Sequence, residues 1–391
     1  NDNFEEITIM NKELKDYLRK NHSIIRPENE SMEDLSIMDG DLENNEMLLT
    51  GENHGVKANI ELRIKFLKYY KEKTNFRYYL CELPYSMTYF LNTYLKTKDE
   101  NILKDIYKPL KGTDAWNKDE YDYWGTLYEF NRGLPEDDRM ILVGTDIEHQ
   151  PQNGIKFMKY CLDKNHVSEL INDHVEEFID KNDIINEEVE YLYKKINEEL
   201  SKNENLYKDL LGEYYYKFKH VNNNLLNMFK VYTGTNFNGV RDVKMYENFL
   251  SLSACLPKGK YFGQLGLSHI FQRAFPNIAW LGSSLNKESS RFRGKVLSIA
   301  YAYQNCRYLY PTTRRNYASS IDTLEPTIEE FKHFIDSDYV LFKLNGADSP
   351  FDKELIWPLE HKSPKGGVTT DYFQYLVVAK GSEAMEGFNI I

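Results

Sequence analysis

The sequence predicts an α/β protein: a central, mostly parallel (mixed) sheet flanked by helices, with a large all-helical insertion. Three observations lead there. Apolar runs recur and end in glycine or an acid, as in Met47-Leu48-Leu49 before Gly51-Glu52, Tyr78-Tyr79-Leu80-Cys81 before Glu82, and Met140-Ile141-Leu142-Val143 before Gly144-Thr145-Asp146. Helix-period stretches separate these runs, which is the pattern of crossover units on a parallel sheet. A long middle segment, 151–258, offers helix patterns and no convincing strand.

Each element follows in order. Residues 1–46 are polar and acidic, with a short helix expected near Asn11–Arg19 and an extended lead-in. Residues 47–150 read strand, helix, strand, helices, strand. The first of those helices has Val56, Ile60, Ile64 and Leu67 spaced for one apolar face. The insertion reads as helices at 153–164, 167–181, 184–202, 204–231 and 240–256, forming a cap or arm with solvated charged faces. Strands resume at 259–265, 295–302, 338–344 and 372–379, separated by turn-rich segments such as Asn345–Pro350 and Ser363–Gly367. The expected organisation is therefore a lead-in at 1–46, an α/β core from 47–150 and 259–391, and an insertion at 151–258.

Composition narrows the function classes. Hydrophobic residues at 41% and charged residues at 28% are values of a globular chain. A net charge of −12 argues against a general nucleic-acid binder, because neutralising phosphates needs a basic surface. No apolar stretch approaches the ~20 residues that span a bilayer. A soluble protein is expected, cytoplasmic or exported after removal of a leader, with its oligomeric state open. Cys81, Cys161, Cys255 and Cys306 form no Cys-x-x-Cys pair, and Cys255 reads as a small core residue. The 30 Tyr and 21 Phe, many between 69 and 130, fit either helix packing or an aromatic cleft for a bulky ligand. The aromatic residues of that stretch include Tyr85, Tyr89, Tyr94, Tyr121, Tyr123, Trp124 and Tyr128.

The chemistry concentrates at strand ends. Gly51-Glu52-Asn53-His54-Gly55 places an acid and an imidazole at the carboxyl end of a buried strand, where open α/β sheets build their sites. Residues two apart in extended backbone face the same side, so Glu52 and His54 can share a pocket. Gly266-Leu267-Ser268-His269 repeats the Gly-x-x-His spacing after a second strand. Glu82 and Asp146 end two further strands, and a buried carboxylate there needs a partner. His149 follows Asp146 closely enough to reach the rim of a site. His22, His166, His174, His220, His333 and His361 lie in polar or helical contexts and read as surface residues.

In that order the blocks resemble the erythromycin esterase-like superfamily. The carriers are Gly-Glu-x-His-Gly, the strand ending at Glu82, and Trp124–Pro135 before Gly144-Thr145-Asp146. Arg241-Asp242-Val243-Lys244-Met245-Tyr246-Glu247-Asn248 and Gly266–Ile270 complete the set. The esterases usually separate the first Glu and His by two residues, where this chain has one, and carry two late histidines, where this chain has His269. The Gly-x-x-His pair is similar to the wider clan of haem- or iron-binding ChaN-like proteins and TraB/Tiki metalloproteases.

The resemblance implies a hydrolase acting on an ester or related acyl bond of a small molecule, with no cofactor. His54 would be the general base that activates water, because imidazole titrates near neutrality. Glu52 or Glu82 would orient it, and His269 would serve as a second acid or position the leaving group. Arg241, with Asp146 and His149, would bind substrate. Two alternatives use the same residues. A divalent metal could sit on His54, His269 and a carboxylate such as Glu82, or the chain could bind haem iron without turnover.

Overall fold

The computed structural model describes residues 12–165, 167, 187–310, 317–360 and 363–388. Its strands are β1 (His22–Ile24), β2 (Met47–Glu52), β3 (Tyr78–Pro84), β4 (Ile141–Asp146), β5 (Tyr261–Gly266), β6 (Val296–Gln304), β7 (Cys306–Tyr310), β8 (Tyr317–Ile321), β9 (Tyr339–Lys343) and β10 (Tyr375–Lys380). Eight of them form one mixed sheet in the order β1-β9-β10-β6-β2-β5-β3-β4, and β7 pairs with β8 in a separate antiparallel ribbon. The pairs β2–β5, β2–β6 and β6–β10 are parallel, while β9 runs antiparallel to β1 and β10. The α/β class read from the sequence is the class observed.

The chain divides into two compact units. The first comprises 1–79, 111–140 and 257–391; the second comprises 80–110 and 141–256. Within the first unit, β2 and β5 are buried along their whole length, as near-continuous apolar strands of a covered sheet should be. The described residues before β2 pack into this unit. Residues 12–20 are helical, and β1 pairs with β9 while Leu18, Leu35 and Met38 are fully buried. β1, β7 and β8 are strands for which the sequence pattern gave no separate signal; they are short or alternate exposed and buried positions.

The helix Ala58–Thr74 departs from the face expected of it. Its buried residues include Asn59, Leu62, Arg63 and Phe66, whereas Ile60 and Ile64 are only half-buried. The face turned inward is thus partly polar. The helix Lys118–Arg132 starts at Asn117, whose side chain accepts from the Glu120 amide at 2.8 Å, a conventional N-cap. Asn131 at its other end latches the following chain, accepting from the Met140 amide at 2.7 Å.

The second unit is mainly helical. Its helices include Tyr85–Thr97, Pro151–Lys164, Glu187–Lys202, Tyr215–Thr233 and Phe237–Ser253. The helix expected over 204–231 is broken: Glu204–Leu211 ends at Gly212, whose φ of 54° stops the helical ladder, and Tyr215–Thr233 begins after it. All but the first residue of the helix expected at 167–181, and the histidines at 166, 174 and 361, lie outside the described residues. Among the described residues no helix is long and apolar enough to cross a membrane.

Gly51 ties the strand end to its neighbour. A Cβ there would lie 2.5 Å from Ile270 Cγ1 and 3.1 Å from Leu267 Cα, because the short 3-10 turn Leu267–Ile270 after β5 packs directly on it. Gly51→Ala should therefore destabilise the fold by about 1–3 kcal/mol. Gly40, with nothing within 4 Å and an ordinary helical backbone, should accept Ala with a gain of about 0.4–1 kcal/mol. Urea denaturation of both variants checks the contrast; equal midpoints would contradict it.

Candidate functional site

Glu52, the last residue of β2, is the hub of a polar cluster in the first unit. Its side chain is 4% exposed and is gripped on both oxygens. Oε1 accepts from Arg63 NH2 at 2.8 Å and from Gln264 Nε2 at 3.0 Å; Oε2 accepts from Asn59 Nδ2 at 2.8 Å. Asn59 and Arg63 stand one turn apart on the 58–74 helix, so a single helix face supplies both donors. Gln264 projects from β5 and is fixed in turn by Thr50 Oγ1 at 2.9 Å and Tyr301 OH at 2.7 Å. Arg63 also forks onto Glu120, with two 2.8 Å bonds, and its guanidinium lies 4.7 Å from the centre of the Tyr123 ring. Tyr303 OH donates to Asn59 Oδ1 at 2.6 Å and accepts from the Asn53 amide at 2.9 Å.

Burial alone would raise the Glu52 pKa, but the Arg63 charge, with the hydrogen bonds from His54 and Gln264, outweighs it and holds the carboxyl at about 2. Glu52 is an anion across the physiological range. His54 sits on the turn beyond it, with Nδ1 3.4 Å from Glu52 Oε2 and a side chain that is 40% exposed. A buried, fixed carboxylate therefore backs a half-exposed imidazole. The turn itself is anchored, since the Gly55 carbonyl accepts from the amides of Leu309 and Met385.

His269 lies on the 3-10 turn that follows Gly266, and Gly266 is the register partner of Glu52. Its ring is buried and meets the Trp280 ring edge-on at 6.0 Å.

A second cluster lies within the second unit, at the end of β4. Asp146 is buried and accepts from Arg241 Nε at 3.0 Å and NH2 at 2.6 Å, while His149 Nε2 stands 3.0 Å from its Oδ2. Burial would raise its pKa, but the Arg241 and His149 interactions pull it well below the ordinary carboxylate range. Arg241 NH2 also approaches Glu82 Oε2 at 3.8 Å, and His149 Nδ1 meets Tyr232 OH at 2.7 Å. Asn224 and Asn248 bind the Asp146 carbonyl at 2.7 and 3.4 Å. Within the first unit Glu52 and His54 meet, and within the second Glu82, Asp146, His149 and Arg241 gather. Among the described residues no three His, Cys, Asp or Glu side chains are grouped closely enough to hold a metal ion.

Two sets of residues escaped the sequence pattern. Asn59, Arg63, Glu120, Gln264 and Tyr303 complete the Glu52 cluster; polar residues at 59 and 63, spaced by one turn after the motif, were the available signal. Glu148 is the other. It is fully buried, and Ser86 at the start of the 85–97 helix donates to it from its hydroxyl at 2.7 Å and its amide at 3.3 Å. Burial, helped by the nearby Asp146 charge, pushes its pKa up to about 8, so it is neutral at pH 7.

The two kinds of acid act oppositely on stability. Glu52 and Asp146 titrate lower folded than unfolded, so their contributions are complete above about pH 4.5 and are lost as pH falls. Glu148 titrates higher folded than unfolded, so its contribution is complete below its unfolded value of 4.5 and is lost as pH rises towards 8. Glu148→Gln should flatten the decline in melting temperature between about pH 5.5 and pH 8, measured by scanning calorimetry. An unchanged decline would show that Glu148 is ionised in the fold.

No family model matches the chain, and no curated protein matches it in sequence. Solved structures do share its fold. A protein from Bacillus cereus is 15% identical over 97% of this chain and 99% of its own, with a TM-score of 0.71. A succinoglycan biosynthesis protein is 12% identical over 96% and 98%, also at 0.71. A histidine-to-asparagine mutant of erythromycin esterase EreC, in its open conformation, is 14% identical over 95% and 99%, at 0.69.

Proposed function

We propose that the chain hydrolyses an ester or related acyl bond of a small molecule, with His54 as general base. The observation that carries this reading is the half-exposed imidazole whose Nδ1 faces a buried carboxylate kept ionised by Arg63. Glu52 accepts a hydrogen bond from Nδ1–H and leaves Nε2 as the lone-pair nitrogen. Nε2 takes a proton from water as its oxygen bonds to the acyl carbon. The imidazolium that forms is stabilised by Glu52. Collapse of the tetrahedral intermediate breaks the bond to the leaving oxygen, which receives a proton and departs as the alcohol, leaving the carboxylic acid. His269, on the turn beside the Glu52 strand end, is the proposed second acid.

An ester as the substrate class is supported by the esterase among structures of this fold. The Glu82, Asp146, His149 and Arg241 group is proposed to serve substrate binding. In that role Arg241 is already oriented by its two bonds to Asp146.

His54→Ala should lower kcat for a p-nitrophenyl ester by about 10²–10⁴-fold, the usual worth of a general base. Because the ring is 40% exposed and outside the apolar core, the melting temperature should barely move. Undiminished turnover would place the base elsewhere, and a collapsed fold would make His54 structural.

A further inference from the structure

The end of β4 carries a hydrogen-bonded chain that runs from the buried Asp146 out to a tyrosine. Asp146 is ionised, held by Arg241 Nε at 3.0 Å and NH2 at 2.6 Å. His149 Nε2 stands 3.0 Å from Asp146 Oδ2, and His149 Nδ1 stands 2.7 Å from the Tyr232 hydroxyl. Three parts of the second unit meet here. β4 supplies the acid, the turn before the 151–164 helix supplies the imidazole, and the last turn of the 215–233 helix supplies the phenol.

The acid fixes the direction of both bonds. An ionised carboxylate only accepts, so in the neutral ring the His149 proton sits on Nε2. Nδ1 then carries the lone pair and accepts from the Tyr232 hydroxyl. The phenol oxygen gives its proton to this bond and presents its own lone pairs to an incoming group. Water and ligands reach it: Tyr232 is 38% exposed and its hydroxyl is half-buried, whereas those of Tyr301 and Tyr303 are closed off. Phe237, equally exposed, meets the Tyr232 ring edge-on at 5.2 Å and adds an apolar flank. Burial and the Asp146 charge raise the Tyr232 pKa, and the Arg241 charge opposes them only in part. Tyr232 is therefore a neutral phenol at pH 7, which needs a base to take its proton as it attacks. His149 is in place as that base, and Asp146 would stabilise the imidazolium, as in other hydroxyl–imidazole–carboxylate triads.

We infer that Tyr232 is an acyl-accepting nucleophile with His149 as its base, and that small activated aryl esters are its substrates. Asp146 and Arg241 act as positioning residues. In the step itself, the Tyr232 hydroxyl oxygen bonds to the acyl carbon as its proton passes to His149 Nδ1. The bond from that carbon to the leaving phenolate oxygen breaks with its electron pair, and the proton leaves the ring for solvent. The product is an acyl ester on Tyr232 and a free phenol. The inference goes beyond hydrolysis at His54 and does not depend on it, because it uses no residue of the Glu52 cluster.

The test uses p-nitrophenyl acetate on the full chain carrying His54→Ala, which separates this site from the proposed hydrolysis. Acetylation is located by mass spectrometry after peptic digestion at acid pH. Tyr191, Tyr216 and Tyr310, which are 63%, 66% and 51% exposed, serve as internal controls. Tyr232 should be acetylated at least about 10²-fold faster than these better exposed tyrosines, the lower worth of a general base. His149→Asn should bring Tyr232 down to the control rate and leave the controls unchanged. With His149 intact, the rate at Tyr232 should reach a plateau well below pH ~10, where free phenols ionise. Labelling of Tyr232 no faster than the controls, labelling indifferent to His149→Asn, or a rate that climbs with phenolate up to that pH would each overturn the assignment.

Discussion

The Glu52 carboxylate is removed from water, and every group that keeps it ionised has to be carried to it by the fold. Arg63 and Asn59 arrive on the helix that follows the strand, Gln264 arrives on β5, and Tyr303 on β6 fixes Asn59. Glu120 holds the far side of Arg63 from a separate helix. Four elements of the first unit are thus registered on one charge at the end of β2. A buried ion pair of this kind adds little net stability over an apolar replacement, since both charges lose their hydration. What it secures is orientation: a carboxylate with both oxygens occupied has no freedom to turn away from His54.

The second unit shows how strongly environment separates chemically similar acids. Asp146 and Glu148 are two residues apart and both buried. Asp146 meets a guanidinium and an imidazole and stays ionised, whereas Glu148 meets a serine hydroxyl and an amide, with the Asp146 charge near, and stays neutral. One cation placed by the 237–253 helix makes the difference. The same helix reaches the end of β4 again through Asn248, which binds the Thr145 carbonyl at 3.0 Å.

Strands β2, β3 and β4 were legible because apolar runs of three or four residues led into glycine or acid. The pairing of Glu52 with His54 was legible for the same reason, since their spacing is local. What escaped depends on contacts distant in sequence. The inward face of the 58–74 helix was read from Ile60 and Ile64, yet Glu52 draws Asn59 and Arg63 inward, and no hydropathy pattern records that demand. Gln264 and Tyr303 lie more than 200 residues from the acid they serve. Cys255 is exposed where its apolar neighbours suggested the core, because helix periodicity alone does not say which neighbour covers which face. β1, β7 and β8 were too short or too evenly mixed to stand out.

The orientation imposed on His54 is most directly read from its tautomer. In ¹⁵N-labelled protein at a pH where the ring is neutral, long-range ¹H–¹⁵N correlation spectra distinguish the two ring nitrogens. A proton on Nδ1, facing Glu52, with Nε2 carrying the lone pair, is the expected result, and Glu52→Gln should weaken that preference. A proton on Nε2 in the unaltered protein would mean that Glu52 does not orient the imidazole, and His54 could not then act as the base in the way proposed.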